Sequence, residues 1–360
     1  MNEKKIYRIL VINPGSVSTK IAVFENENKL FNKYIKHPVE ELSKFKDIIE
    51  QYEYRKEAII KELENAGISL NSFDIVIGRG GLIKPVPSGV YEVNDIMLEE
   101  LKNCKYGKHA SNLGALIAKE IADKIGVKAI IADPVVVDEM EDIAKYTGHP
   151  LFERKSIFHA LNQKMVARLF AKEIGKKYEE LNLIIAHLGG GISIGAHYKG
   201  RVIDVNNALD GEGPFTPERT GTLPAGQLVR LCFSGKYTED EILSMITGKG
   251  GYVAYLGTND ASEVEKRVLM GDEKARIISE AMAYQIAKAI GEMATVLKGI
   301  VDAIILTGGM AFNQSFVELI KSRVLFIAPV YVYPGENEME ALAYNALAAL
   351  KNEVEIKKYS

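Results

Sequence analysis

Three turns rich in glycine and hydroxyl residues stand directly after apolar segments of this sequence. The segments read ILVINPGSVSTKIAVF from Ile9, LIIAHLGGGISIGAHY from Leu183 and AIILTGGMAFN from Ala303. Glycine lets an anion approach backbone N–H groups closely, and clustered N–H groups bind phosphate oxygens. These residue types at this spacing therefore predict an anion site built from turns.

Each turn taken alone has an ordinary explanation: a polar turn, a tight hairpin, or a junction between a strand and a helix. The three together, in this order, are less easily explained by packing. The sequence contains no GxxxxGK[ST] segment, and no GxGxxG opens an early strand–helix–strand unit. Neither the P-loop nor the dinucleotide-binding motif therefore accounts for the turns.

The composition is that of a globular protein and argues against several classes. With 360 residues, the chain is long enough for two ordinary domains or one large one. A net charge of −3 argues against a nucleic-acid surface.

Cys104 and Cys232 lack the spacing of a disulfide framework or zinc site and suit a reducing cytosol. The first apolar run breaks at Asn13, and no run reaches ~18 residues, so we expect neither signal peptide nor membrane span but a soluble, cytoplasmic protein.

Short apolar runs alternate with longer amphipathic stretches, which predicts an α/β architecture. A helix is predicted over about 272–298, where apolar residues recur on one 3.6-residue face. The predicted strands are Ile9–Asn13, Lys20–Phe24, Asp74–Ile77, Lys128–Ala132, Leu183–His187, Ile192–His197, Ala303–Thr307 and Val330–Val332.

The first two glycine turns belong to segments of the same form: strand, turn, strand, then charged residues. They lie about 175 residues apart, half of the chain. This repetition predicts a duplicated α/β domain with a cleft between the copies. We place the domains at 1–155 and 156–360, with the last helix able to pack back on the first domain. The tail KNEVEIKKYS is interpreted as a solvated end.

The pattern resembles that of the actin-like ATPases, sugar kinases and Hsp70 ATPases, and within that superfamily it is similar to the acetate and butyrate kinases. INPGSVSTK resembles their first signature, and the segment HLGGGISIGAHYKGRVIDVNNALDGEGPFTPERTGTLP resembles the second in its butyrate kinase form. SIFHALNQK, GKHASNLGA, DPVVVDEM and TGGMAFN resemble further family segments. The resemblance implies two actin-like ATPase (ribonuclease H-like) domains with mixed sheets flanked by helices.

The reaction implied by the resemblance is phosphoryl transfer from ATP to a short-chain carboxylate, butyrate in the first instance. A carboxylate is already ionised at pH 7, so it needs no general base. The obstacle is repulsion between two anions, which cations aimed at the phosphoryl group relieve. The alternatives are a kinase for isobutyrate, acetate or propionate, and an ATP-binding sensor without catalysis.

Five residues are assigned to catalysis. Arg79 in GRGG and Arg219 in FTPERTGT stand beside glycine-rich segments, where motif context favours a phosphoryl contact over a surface ion pair. The resemblance implies that His187 of HLGGG donates to the phosphoryl group and that Asp133 of IIADPVV lies near it. His159 of SIFHALNQK belongs to another family segment.

The resemblance also implies the binding residues. Lys20 is interpreted as an aid to phosphate charge, and Mg²⁺ is expected as the cofactor with Asn13 and Glu338 as its oxygen ligands. The residues assigned to nucleotide and phosphate are Asn13, Ser16, Ser18, Lys20, Gly189, Gly190, Gly191, Asp260, Gly308, Gly309 and Asn313. The family further implies a homodimer or higher oligomer, and a fermentative role.

Two residues, Gly78 and His109, are assigned to the acyl pocket. Gly78 matches a valine of the acetate kinases, so the missing side chain predicts a larger pocket that suits four- or five-carbon acids. Arg79 stands where the acetate branch has a histidine, Gly190 replaces an amide side chain, and Ser262 replaces an arginine of the adenosine loop.

Overall fold

Strands and helices alternate into two units in the computed structural model, which describes residues 5–360. One unit runs to Val137 and includes Asn337–Ser360, and the other comprises Asp138–Glu336. The strands of the described residues are β1 (Arg8–Pro14), β2 (Ser18–Glu25), β3 (Asn28–Lys36), β4 (Ile75–Arg79), β5 (Val90–Glu92), β6 (Lys128–Ala132), β7 (Asn182–Leu188), β8 (Ile192–Tyr198), β9 (Arg201–Val205), β10 (Ala303–Gly308), β11 (Val330–Pro334) and β12 (Ile356–Lys358).

The α-helices of the same residues are α1 (Val39–Leu42), α2 (Tyr52–Asn65), α3 (Asp95–Lys102), α4 (Asn112–Ile125), α5 (Asp142–Lys145), α6 (Ala160–Glu173), α7 (Ala225–Cys232), α8 (Glu239–Thr247), α9 (Gly251–Leu256), α10 (Ala261–Leu269), α11 (Glu273–Val296), α12 (Gln314–Val324) and α13 (Glu338–Leu350). Four short 3₁₀ helices cover Ile48–Gln51, Leu70–Ser72, Tyr178–Glu180 and Gly309–Phe312.

The two sheets repeat one topology. The first has the strand order β12-β5-β6-β4-β1-β2-β3 and the second β11-β10-β7-β8-β9. In each, three antiparallel strands (β1–β3 or β7–β9) are extended by two strands parallel to the first of them, β4 and β6 or β10 and β11. The first sheet continues with β5, antiparallel to β6, and with β12. The order β3-β2-β1-β4-β6 thus corresponds to β9-β8-β7-β10-β11, which confirms the duplication and the mixed sheets.

Central strands are buried on both faces, which explains their continuous apolar runs. Every residue of β7 is buried. Residues of α11 form one core with β7, β8 and β10, whereas residues of α6 form a second core on the opposite face. The apolar stripe predicted for α11 is confirmed, since Met282, Ile286 and Ile290 are fully buried.

The first unit is built in the same way. Its sheet packs against α4, whose apolar residues join those of β1, β4 and β6 in one core. α13, the last helix of the chain, also packs against β1 and β4 and belongs to this unit.

The units divide at Val137 and Asp138, upstream of the boundary expected at residue 155. Residues 138–155 lie with the second unit because their polar groups bond to β9 and the loop after it. The N–H of Glu141 donates to the carbonyl of Ile203. Arg154 pairs with Asp204 at 2.9 Å and with Glu212 at 2.5 Å.

The interpretation of the C-terminal tail as a solvated end fits residues 351–355, which are exposed, but is wrong for the residues after them. β12 pairs with β5 in the first sheet. Tyr359 is only 3% exposed. Its hydroxyl accepts from the N–H of Lys84 at 2.9 Å and donates to the carboxylate of Glu100. Tyr359 is therefore part of the first unit's core.

None of the helices in the described residues is long and apolar enough to cross a bilayer.

Replacing Tyr359 by alanine should remove a buried aromatic ring and lower the free energy of unfolding by about 3 kcal/mol. The matched change Lys358→Ala, on the exposed neighbour, should alter it by no more than about 0.5 kcal/mol. Urea unfolding of both variants measures the difference, and equal midpoints would mean that the tail does not contribute to the core.

Candidate active site

Predicted site residues of the first unit gather at one edge of its sheet. β1, β4 and β6 are parallel, so their carboxyl ends meet at this edge. Asn13 lies near the end of β1, Arg79 ends β4, and Asp133 follows β6. Lys20 on β2 pairs in register with Asn13, so the two side chains share a face.

Three of these predicted residues are in direct contact. Glu338 is the first residue of α13, and its carboxylate accepts hydrogen bonds from Arg79 Nη1 and from Asn13 Nδ2, the latter at 2.7 Å. The side chains of Arg79 and Glu338 are only 15% and 11% exposed. Asn337, the residue before Glu338, has a left-handed backbone conformation with a φ of 44°.

Asp133 is held by a separate set of donors. Its backbone has a φ of 39°, uncommon for a residue with a side chain. Its Oδ1 accepts from the Ser88 hydroxyl at 2.6 Å and from the N–H of Gly89 at 2.9 Å. The carboxylate is 2% exposed, so its orientation is fixed by buried hydrogen bonds.

The second unit brings together another set of predicted residues. The imidazole rings of His159 and His187 stack with centroids 3.8 Å apart and planes 10° from parallel. His159 caps α6, and His187 lies near the end of β7. The two histidines therefore present one paired surface beside the turn at 189–191.

Hydrogen bonds fix the tautomer of His159. The Ser193 hydroxyl oxygen accepts from Gln163 Nε2 at 2.8 Å and from the N–H of His159 at 3.3 Å. Its own hydrogen is left for His159 Nδ1, 2.9 Å away. Because Nδ1 accepts this hydrogen, the proton of neutral His159 is on Nε2.

A buried chain of side chains continues behind this contact. Gln163 Oε1 accepts from His197 Nε2 at 2.9 Å, and His197 Nδ1 accepts from the Tyr178 hydroxyl at 2.6 Å. Burial, with a smaller contribution from Lys164, holds the pKa of His197 well below its usual range, so His197 stays neutral. The direction of each hydrogen bond along this chain of side chains is therefore assigned.

His187 has the opposite tautomer. The amide nitrogen of Asn162 donates to the carbonyl of Glu336 at 2.6 Å, so the amide oxygen accepts from His187 Nδ1 at 2.8 Å. With the proton on Nδ1, Nε2 of neutral His187 has a lone pair, and it donates only when the ring is protonated.

Sequence reasoning missed the residues that orient these histidines. Asn162 and Gln163 follow His159 by three and four residues on α6, and they orient His187 and His159 respectively. A helical projection of SIFHALNQK would have shown this spacing, because residues i, i+3 and i+4 share one helix face.

Arg219 is a partly buried cation of the second unit, with its side chain 21% exposed. Its Nη1 donates to the carbonyl of Ala208, and its buried Nε has no hydrogen-bond partner in the described residues. Burial lowers its pKa, and neighbouring Glu218 offsets this only in part. A guanidinium with an unpartnered buried N–H attracts an anionic hydrogen-bond acceptor.

The glycine turn after β7 adjoins this guanidinium. A Cβ at Gly191 would collide with Arg219 Nη1 and would come within 3.3 Å of His159 Cε1. A Cβ at Gly189 would lie 3.1 Å from His187 Nε2, whereas one at Gly190 would meet only the Glu218 carboxyl, at 3.6 Å or more. The structure thus brings Gly189, Gly191, His159, His187 and Arg219 together.

An open pocket of ≈ 440 Å³ lies elsewhere in the second unit. Two of the predicted nucleotide residues, Gly309 and Asn313, line it together with Ser262. The other lining residues are Tyr252, Ala261, Val264, Glu265, Ser279, Met310, Phe312 and Phe316. Apolar and aromatic walls with a few polar groups are typical of a small-molecule site.

Two predicted nucleotide residues have structural contacts instead of lining this pocket. Asp260 caps α10 and accepts from the N–H and hydroxyl of Ser262 at 2.8 and 2.7 Å. Gly308 has a φ of +90°, and a Cβ there would lie 2.7 Å from the backbone nitrogen of Leu188. Close packing and backbone conformation explain this glycine.

The expected enlargement of an acyl pocket at Gly78 requires correction. A Cβ at this position would collide with the backbone carbonyl of Gly114 in α4. Gly78 therefore allows close contact between β4 and α4, and its missing side chain leaves no free volume. The other predicted pocket residue, His109, is exposed before α4, and its Nδ1 contacts the Ser111 hydroxyl at 2.7 Å.

The two sheets and their glycine turns define the class. The fold is that of the acetate and propionate kinases. An acetate kinase of Porphyromonas gingivalis superposes with a TM-score of 0.78 at 20% identity, over 96% of this chain and 100% of that one. A propionate kinase of Francisella tularensis superposes with a TM-score of 0.72 at 20% identity, over 94% and 98%.

Sequence comparison identifies the family. The acetokinase family model matches residues 143–350. The butyrate kinase 2 of Clostridium acetobutylicum is 57% identical over 353 residues, 98% of this chain and 99% of that protein. The chain belongs to the acetokinase family.

Replacing Gly191 by alanine should displace the Arg219 guanidinium and lower kcat for carboxylate phosphorylation at least about 100-fold. Gly291→Ala is the control, because a Cβ there meets nothing within 4 Å and lies in α11. Steady-state kinetics on both folded variants measures the effect. An unchanged kcat for Gly191→Ala would show that Arg219 does not act where the structure has it.

Removing the Ser193 hydroxyl by Ser193→Ala should leave His159 Nδ1 without its donor and release the tautomer. We expect kcat to fall about tenfold, the effect of one lost hydrogen bond. The ¹⁵N shifts of His159 should change while those of His187 do not, which a general loss of folding would not produce. Ser322→Ala, on an exposed serine, is the control; unaltered His159 shifts would contradict the assignment.

Proposed function

We propose that this protein phosphorylates a short-chain fatty acid, with butyrate + ATP ⇌ butyryl phosphate + ADP as its main reaction. One observation carries the proposal: 57% identity, over almost the whole chain, to a butyrate kinase. The carboxylate acts as nucleophile in its ionised form, so the protein has to position two anions and offset their charge.

Arg219 is the principal cation for the phosphoryl group in this proposal. Its buried Nε–H has no partner in the described residues, and burial lowers its pKa. An anionic oxygen would accept a hydrogen bond from this N–H and would stabilise the charged form of the guanidinium. Because Nη1 is held by the carbonyl of Ala208, the guanidinium needs little rearrangement to act.

The stacked histidines have distinct parts in the proposed transfer. Neutral His159 carries its proton on Nε2, so it donates to a phosphoryl oxygen without changing its charge. His187 donates from Nε2 only as the imidazolium, since Asn162 holds its Nδ1 proton. We assign the uncharged donor to His159 and the charged one to His187.

The predicted site residues of the first unit are assigned to the anionic groups of the substrates and to Mg²⁺. Arg79, Asp133 and Lys20 stay assigned to the phosphoryl and carboxylate groups, and Glu338 and Asn13 to Mg²⁺. Mg²⁺ is commonly held by one or two carboxylates with waters and substrate phosphates, which is the ligand type of Glu338 and the Asn13 amide oxygen. Both carboxylate oxygens of Glu338 accept hydrogen bonds in the structure, from Arg79 and Asn13, so at least one of these bonds would have to open for Glu338 to hold the ion. When bound, it supplies positive charge to the phosphates.

The pocket of the second unit is assigned to adenosine. Among its aromatic residues, Phe312 is 68% exposed and offers a surface for a purine, whereas Tyr252 and Phe316 are buried. Gly309 is open, since a Cβ there meets nothing within 4 Å. Ser262 lines the pocket where the acetate branch has an arginine, so we expect contacts to the base different from those of that branch.

Assembly and compartment complete the proposal. No residue of α7 is buried. Val229 within the helix is 54% exposed, and Phe233 directly after it is 88% exposed. This apolar surface supports a homodimer or higher oligomer. Cys104 and Cys232 are free thiols, which supports the cytoplasm as the compartment.

Acyl-hydroxamate formation with MgATP across acids of two to six carbons tests the reaction. We expect a maximum at butyrate, and Arg219→Ala should lower turnover about 10³-fold or more. Arg230→Ala, an exposed arginine of α7, is the matched control and should keep wild-type turnover.

Other outcomes of that panel separate the alternatives. A maximum at isobutyrate, acetate or propionate would keep the chemistry and change the substrate. Tight ATP binding without hydroxamate from any acid would favour a non-catalytic sensor and contradict the proposal.

A further inference from the structure

Arg55 of α2 lies fully buried under the first glycine turn, and no local sequence pattern predicts this contact. Its exposed fraction is 0%. Nη1 donates to the carbonyls of Gly15 and Ser18 at 2.7 and 2.9 Å, and Nη2 to the carbonyl of Ser16 at 2.7 Å. Gln51 Oε1 accepts from Nε at 3.1 Å and from Nη2 at 2.7 Å.

These hydrogen bonds occupy the carbonyl groups of the turn but not all of its N–H groups. The carbonyl of Val17 accepts from the N–H of His37 at 2.9 Å, so every carbonyl of residues 15–18 has a donor from the protein. In the part of the chain that the structure describes, the N–H groups of Ser16 and Val17 have no such partner, and both residues are exposed. The acceptors of the turn therefore face the unit's interior, and its unused donors belong to its exposed part.

The charge of Arg55 is not balanced by a carboxylate. Among the described residues, no Asp or Glu forms an ion pair with it. Burial lowers its pKa to about 10, so it remains charged at neutral pH. His37 beside it is neutral, because burial and the Arg55 charge lower its pKa to about 4. Positive charge thus lies under the turn and is offset only by carbonyl and amide dipoles.

We propose that Arg55 is a positioning residue for the transferred phosphoryl group: it binds the turn's carbonyls and leaves an uncompensated positive charge beneath the exposed donors. The inference rests on the proposed function and on the assignment of Ser16 and Ser18 of this turn to nucleotide and phosphate, which was predicted from the sequence. A buried charge acts over several ångströms in a low dielectric, so it attracts an anion without touching it.

A purely structural role makes a different prediction, and Gln51→Glu distinguishes the two. Glutamate keeps the size of Gln51 and its acceptor oxygen, so the clamp on the turn is retained or strengthened. It also places a carboxylate against Arg55 and cancels the charge. If Arg55 only holds the turn, this variant should behave as the wild type.

Two further variants accompany it. Arg55→Met removes the charge and the clamp together at similar volume. Leu63→Ala is the matched control, because Leu63 is a fully buried residue of the same helix, two turns further on, and has no contact with the turn. It should lower the thermal midpoint without altering phosphate recognition.

The readout is the ratio of ATP to ADP affinity, measured by calorimetry with Mg²⁺ present, since only ATP carries the group to be transferred. We expect Gln51→Glu and Arg55→Met to weaken ATP binding about tenfold or more, the effect of losing one interaction with a charged group. ADP binding should stay within about twofold, and Leu63→Ala should keep the wild-type ratio.

A folded Gln51→Glu with the wild-type ratio would overturn the inference, and it decides the matter alone if Arg55→Met does not fold. The hydroxamate assay separates this failure from that of the proposed function. A wild-type protein that makes no hydroxamate but whose ratio depends on Gln51 and Arg55 would refute the kinase proposal and keep the role of Arg55. An active kinase with an unaffected ratio would do the reverse.

Discussion

Positive charge held by backbone carbonyls is the interaction on which the turns of both units depend. Arg55 binds three carbonyls of the first turn, and Arg219, beside the second, binds the carbonyl of Ala208 and has the Glu218 carboxylate 4.0 Å away. Lys164, by contrast, pairs with Glu139 at 2.7 Å, which neutralises it. A cation with a carboxylate neighbour stabilises the fold locally, whereas one held by dipoles keeps most of its attraction for an incoming anion. Arg55 and Arg219 therefore keep more of their attraction for phosphate than Lys164, whereas Arg79, which is paired with Glu338, has to exchange that carboxylate for the anion it is proposed to bind.

The duplicated topology explains why the turns recur at equivalent places. β1 and β7 are each followed by a hairpin and flanked by a parallel strand, so each turn stands at the carboxyl edge of its sheet. Asn13 and His187 occupy the same place, two residues before the first glycine of their turns. The copies then diverged in chemistry: Asn13 binds a carboxylate on α13, whereas His187 stacks on a second histidine. One scaffold thus presents an amide in one unit and an imidazole in the other.

The sequence predicted the central strands and the long helix well because their apolar runs and periodicity are strong. It missed four strands: β3, whose residues are mostly exposed, β9 at the edge of the second sheet, and the short β5 and β12. Edge strands and three-residue strands have weak patterns. Site residues inside recognisable segments were found. Arg55 was not, since its partners lie 37 to 40 residues away and no local pattern marks such a contact. A buried cation is defined by tertiary packing, which residue spacing alone does not encode.

The glycines of this chain show why a glycine-rich segment does not by itself define a binding site. Gly78 and Gly308 have no side chain because backbone atoms of Gly114 and Leu188 fill that space. Gly191 leaves its space to a guanidinium, whereas Gly309, which lines the pocket of the second unit, adjoins open volume. Glycine therefore allows close backbone packing at Gly78 and Gly308, close approach of a side chain at Gly191, and open space at Gly309. Of these three, only the open space leaves room for a ligand. Selectivity for acyl length consequently cannot come from the missing side chain of Gly78. The proposed preference for butyrate therefore requires side chains elsewhere than at this contact between β4 and α4.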